Sequence, residues 1–120
     1  MRNNNKLPLF DVTYIDSIQD MVIKSANTYA NKLALEDITN YPISSVTYSE
    51  LKDYTIKFGR SLQKIGLQPR DHIALIGENR VQWAIAFLSA VMFDFVIVPV
   101  DKNLTHNDVL NIIHDSDAAA

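Results

Sequence analysis

A chain of 120 residues that is 48% hydrophobic and 21% charged has ordinary globular composition, enough to bury one core and too little for several domains. A net charge of −3, with 11 basic residues scattered along the chain, leaves no electrostatic footprint for nucleic acid, and the absence of cysteine excludes disulfides, zinc-thiolate sites and thiol nucleophiles. The polar, Asn-rich start MRNNNKLPLF lacks the apolar run of a secretory signal, so the cytosol is the expected compartment.

Residues 1–12 are expected to form a loose lead-in, after which Asp16 or Ser17 can cap a first helix. Ile18, Met21, Val22, Ala26 and Tyr29 follow as an apolar stripe at helical spacing. A short strand over Leu33–Ile38, a turn at Thr39-Asn40-Tyr41-Pro42 and a second strand over Ser44–Tyr48 predict a hairpin. Thr47-Tyr48-Ser49-Glu50 then fits a capping box, in which the Thr hydroxyl accepts from the third helical N–H and the Glu carboxylate returns to the cap.

The helix opened by that box carries Leu51, Tyr54, Thr55, Phe58, Leu62 and Ile65 on one face. Lys57, Arg60 and Lys64 suit the negative end of its dipole. Gly66 is placed just past its end, with Leu67 after it and Pro69 preventing restart, while Gly59 inside the helix predicts close packing. Glu78–Asp101 reads as a buried, nearly all-apolar helix followed by a buried Val/Ile-rich strand, and His72–Gly77 before it supplies the other strand. His72–Val100 thus has the order and length of a βαβ unit with parallel strands. Asn79 is the expected cap of that helix, with Gln82 at its third position.

Thr105 with Asp108 repeats the box logic and opens a last helix bearing Val109, Leu110, Ile112 and Ile113, after which a further strand is due at Asp117–Ala120. The fold class expected is α/β. Two parallel strands with an apolar crossover helix call for cover on both faces and for neighbouring strands, so the 120 residues are expected to be part of a larger domain.

Val81–Val100 has about the 20 residues that a bilayer crossing requires. Asp94, Pro99 and the β-branched run Val96-Ile97-Val98 argue instead for helix, turn and strand, so no transmembrane span is expected. His106, Asp108, His114, Asp115 and Asp117 cluster within a dozen residues and invite a metal reading. A helix rise of about 1.5 Å per residue sets the two histidines roughly 12 Å apart, too far to share an ion. Capping and solvated helix ends account for them.

Gly77-Glu78-Asn79-Arg80 lies after a strand and before a helix, where phosphate-binding turns occur. It has neither GxGxxG nor GxxxxGK[ST], and Glu78 would oppose a pyrophosphate. Trp83 and Phe87 are read as core, and no nucleophile stands beside a base. No residue is assigned a catalytic, cofactor-binding or metal-binding role.

Thr47-Tyr48-Ser49-Glu50-Leu51 resembles the first core motif of the adenylate-forming superfamily, which includes acyl-CoA synthetases, peptide-synthetase adenylation domains and luciferases. Val91–Asp101, VMFDFVIVPVD, is similar to the second core motif. Between them, Gly66–Leu75 matches the family's Gly-hydrophobic to Gly-Asp-x-Val-Ala segment, and Asn79 with Trp83 matches its Asn-x-x-x-Trp turn. Arg70 stands where the family usually has glycine, and Asp94 with Phe95 where it usually has one or two; these changes are expected to strain the helix-to-strand turn, where φ > 0 favours glycine and Asp is better tolerated than most residues.

The resemblance covers residues 15–120 and implies the N-terminal part of the large AMP-binding-type domain: a βαβ unit plus a short β-hairpin and flanking helices. The family's phosphate loop, acyl-pocket motifs and C-terminal domain with its catalytic lysine all come later than residue 120. By resemblance the full-length enzyme is an ATP-dependent acyl-CoA synthetase, using ATP, Mg²⁺ and CoA on a small-molecule carboxylate, with wording most like the long-chain fatty acid–CoA ligase branch. The 120 residues alone are expected to be inactive. The alternative is a non-catalytic interaction or regulatory module on the same scaffold, and either reading leaves self-association open.

Overall fold

The computed structural model describes residues 11–38 and 45–120. Residues 1–10 of the expected lead-in and the expected turn at Thr39–Pro42 lie outside the described residues. The chain runs α1 (Ile18–Tyr29), β1 (Leu33–Glu36), β2 (Ser45–Thr47), α2 (Tyr48–Lys64), β3 (His72–Ile76), α3 (Val81–Met92), β4 (Val96–Val100) and α4 (His106–Asp115). This is the α/β order expected from the sequence.

Local chemistry sets most of the boundaries. Ser17, rather than Asp16, caps α1 by accepting from the Asp20 N–H. Thr47 and Glu50 complete the capping box of α2: the Glu50 N–H donates to Thr47 Oγ1 at 3.3 Å, and the Thr47 N–H donates to Glu50 Oε2 at 2.8 Å. At the other end Gly66 takes φ 108°. Its N–H donates to the Gln63 carbonyl at 3.0 Å, and the Leu67 N–H reaches back to the Leu62 carbonyl at 3.3 Å, a Schellman closure that needs left-handed backbone at Gly66.

The start of α3 corrects one expectation. Arg80, extended at φ −134° and ψ 165°, is the N-cap, and it makes no side-chain cap bond. The Ala84 N–H donates to the Arg80 carbonyl, so the first helical turn closes one residue later than a cap at Asn79 would require. Asn79 is exposed outside the helix, and Gln82 is its second residue rather than its third.

The hairpin strands β1 and β2 pair antiparallel, with an irregularity between Leu33 and Leu35. Strands β3 and β4 pair parallel, from His72 opposite Val96 to Ile76 opposite Val100. On the other edge of β3 a third strand begins where the sequence requires it. His72 bridges Ala118, the Ala119 N–H donates to the His72 carbonyl, and the Ala74 N–H donates to the Ala120 carbonyl. The His72 ring Nδ1 contacts the Ser116 carbonyl, tying the end of α4 to the start of β3.

Helix α3 joins two small cores. Val81 and Ile85 pack with Val46 and Leu51 beneath the hairpin, whereas Ala90 packs with Leu67, Ile73 and Phe95 on the parallel strands. Its contact with α2 is close because of small residues. A Cβ on Gly59 would lie 2.2 Å from the Phe93 ring, and the Ser89 hydroxyl, wholly buried, lies 2.9 Å from the Thr55 carbonyl and 2.6 Å from that of Ile85. Ser89 has one proton, so it serves these two acceptors in turn.

Candidate functional site

The parallel pair holds a constant offset of 24 residues, as in His72 with Val96 and Ile76 with Val100. Continuing that register past either end of the strands brings opposite charges together. Before the strands, Arg70 meets Asp94: the Arg70 N–H donates to the Asp94 carbonyl at 2.6 Å and the side chains approach to 3.7 Å. Both residues occupy left-handed backbone, at φ 74° and 60°, as expected for positions where the resembling family has glycine. Beyond the strands, Glu78 meets Lys102, with Lys102 Nζ 3.2 Å from Glu78 Oε1.

Glu78 also accepts from the Arg80 guanidinium through its other oxygen. The hydrogen bond from Arg80 and then that from Lys102 hold the Glu78 carboxyl below the ordinary glutamate range. This ion cluster borders a cleft of about 570 Å³ at the carboxyl ends of β3 and β4, lined by Gly77, Glu78, Asn79, Trp83, Pro99, Val100, Asp101, Lys102 and Asn103. The crevice outside the carboxyl ends of parallel strands is where open α/β sheets bind ligands.

Each wall of the cleft has a local cause. Trp83 sits in the first turn of α3, half-buried, with its ring stacked on Phe87 at 5.4 Å and 14°. Asp101 turns the chain after β4: its carboxylate accepts from both the backbone N–H and the side-chain amide of Asn103, and its carbonyl accepts from the Leu104 N–H. The cleft thus offers an aromatic face, two amide side chains and a cation already engaged by a carboxylate. Such groups suit binding and orientation; among the described residues no histidine, serine or threonine lines the cleft.

The Gly77–Arg80 turn does not fit a nucleotide's phosphates. The Glu78 carboxylate already occupies the cationic groups that such a ligand would need, and we derive no step of nucleotide chemistry through this turn. The His and Asp residues that cluster in sequence are spread along α4, which has His106 at its first residue and His114 in its last turn. Asp108 belongs to the Thr105 cap, and His114 faces Asp115 at 3.2 Å on an exposed surface. Among the described residues no three His, Asp or Glu side chains converge on one ion position. Nor is any helix among them long and apolar enough to cross a membrane.

The pairing of Glu78 with Lys102 escaped the sequence reading, which treats Glu78 only as a charge opposing a pyrophosphate. Its signal is the 24-residue offset, visible only once the two strands are set in register.

Residues 22–120 match the family model of the AMP-binding enzyme. The chain belongs to the AMP-binding enzyme family. Its fold is that of the N-terminal subdomain of adenylate-forming enzymes. It superimposes on the crystal structure of VinN with a TM-score of 0.80 at 24% identity, covering 90% of this chain and 28% of that one. The long-chain-fatty-acid–[acyl-carrier-protein] ligase AEE15, chloroplastic, of Arabidopsis thaliana is 24% identical over 104 residues, 87% of this chain and 14% of that protein. The 4-hydroxybenzoate–CoA/benzoate–CoA ligase of Rhodopseudomonas palustris is 29% identical over 75 residues, 62% of this chain and 14% of that protein. This AMP-binding family chain therefore spans about one-seventh of the length of these curated relatives.

Proposed function

We propose that this chain is the N-terminal scaffold segment of an ATP-dependent acyl-CoA synthetase. In that reaction a carboxylate oxygen attacks the α-phosphorus of ATP, pyrophosphate leaves, and the thiol of CoA then displaces AMP from the acyl adenylate. Mg²⁺ neutralises the phosphate charge when bound. The observation that carries the reading is the family match over residues 22–120 together with the ordered motifs at Thr47–Leu51, Gly66–Leu75, Asn79–Trp83 and Val91–Asp101. In this reading the described elements supply structure, and the nucleotide-handling groups belong to later segments of the parent protein.

The substrate we favour is a long-chain fatty acid. Glu78-Asn79-Arg80 with Trp83, and Val98-Pro99-Val100-Asp101-Lys102, support that branch, as does the long-chain fatty acid for which the Arabidopsis relative is named. The Rhodopseudomonas relative is named for benzoates, so the substrate assay has to include both classes. The Arabidopsis relative is also named for acyl-carrier protein rather than CoA, so both acceptors belong in it. The cytosol remains the compartment we propose.

The test is carboxylate-dependent ATP–pyrophosphate exchange by the parent polypeptide across fatty acids of graded length and benzoates. The expected result is exchange that is strongest with long-chain acids. Strongest exchange with benzoates overturns the substrate, and a parent polypeptide inert toward every acid and lacking a Ser/Thr/Gly/Lys loop beyond Ala120 favours the interaction module instead.

A further inference from the structure

We propose that Glu78 is an electrostatic strap across the mouth of the 570 Å³ cleft, holding the Asp101–Leu104 turn against the β3–α3 turn and setting access to Trp83. This inference is independent of the ligase reading, since it rests on the β3–β4 register and the charges at its end. Three observations carry it. The turn after β4 is closed mainly on itself, by the Asn103 and Leu104 bonds to Asp101, so Lys102 is free to reach outward. The 24-residue offset places Lys102 opposite Glu78, and the two side chains meet at 3.2 Å.

The third observation is exposure. Glu78 and Lys102 are each about half accessible, at 50% and 47%, and both line the cleft that Trp83 also lines. A half-exposed pair is weak and screened by salt, which makes it unsuited to holding the fold and suited to a closure that opens readily. Arg80 on the other Glu78 oxygen orients the carboxylate, so that one oxygen stays aimed at Lys102. The device is a two-position turn: closed while Lys102 is on Glu78, open when the pair parts.

Trp83 is the only tryptophan of the chain, so its fluorescence reports the cleft without a label. Acrylamide, being uncharged, reads access without being steered by the altered charges. Glu78→Gln and Lys102→Met should each raise the quenching constant of Trp83 by about two- to fivefold, the shift expected from losing an exposed ion pair. Wild-type quenching should rise in the same direction at about 1 M salt, where the Debye length falls to roughly 3 Å. The charge-conserving Lys102→Arg should keep quenching at the wild-type value, which a general loosening caused by substitution could not do. Quenching that stays flat in both single variants and in salt overturns the strap, and so does Lys102→Arg quenching as strongly as Lys102→Met.

Discussion

Arg70 and Asp94 show how two unfavourable residues can share one place. Each sits in left-handed backbone that costs a residue with a Cβ about 1 kcal/mol or more, with Asp the better tolerated of the two. They are also each other's partners, through a backbone hydrogen bond of 2.6 Å and an ion pair at 3.7 Å whose side chains are 76% and 67% exposed. An ion pair that exposed recovers little of the backbone cost. Arg70→Gly should therefore raise stability by about 0.5–1 kcal/mol in urea unfolding, with a smaller gain for Asp94→Gly. Destabilisation by Arg70→Gly would mean that the pair contributes more than its exposure allows. These positions were legible only through the resemblance, because the family carries glycine where left-handed backbone is needed, whereas Arg70 itself gives no such signal. Ser17, Thr47, Glu50 and Gly66 were legible directly, since their capping chemistry is local.

At the scale of elements, what the sequence concealed is what depends on a neighbour. The stripe on α1 divides: Val22 and Ala26 are buried, whereas Ile18, Met21 and Tyr29 remain exposed. The face of α2 divides similarly, with Leu51 and Thr55 inside and Tyr54, Phe58 and Ile65 outside. Periodicity locates an apolar face but not the element that covers it. Arg80 as the cap of α3 was hidden for a related reason, since Asn79 has the better capping chemistry and the backbone path into the helix decided against it.

Gly59 is the exception, a packing feature whose trace was a lone glycine inside a strong helix. Gly59→Ala gains helix propensity of up to about 1 kcal/mol, yet its Cβ would sit 2.2 Å from the Phe93 ring. Overpacking should win, with a net loss of about 1–3 kcal/mol, partly recovered by pairing the change with Phe93→Leu. A more stable Gly59→Ala protein would contradict the close α2–α3 contact. The Val96 N–H donates toward β3, so the alternating backbone turns Pro99 outward, where its missing N–H blunts the free edge of β4. The strand beginning at Ala118 instead extends the sheet from β3.

Across the whole molecule, structure outweighs chemistry. The two cores meet on α3, yet none of α4 is buried and Phe58, Ile65, Ile76 and Leu110 lie at the surface. An apolar groove of about 540 Å³ between α2 and α3 is lined by Tyr54, Phe58 and Ala86, with the buried Ile85 beneath them. Such faces are what a scaffold offers to the remainder of a larger domain, and the matched segment is 14% of the length of the Arabidopsis relative. The fold class and family were legible in the sequence because the motifs sit at element ends, where backbone chemistry constrains residue type. The cleft was not, because its walls come from two turns 24 residues apart in register.

The claim that these residues are scaffold rather than catalyst is tested most directly by fatty-acid-dependent ATP–pyrophosphate exchange with the purified 120-residue chain. The expected result is no exchange above the protein-free control at any chain length of acid. Exchange that depends on both the acid and the chain would contradict the claim and place a catalytic site within residues 1–120.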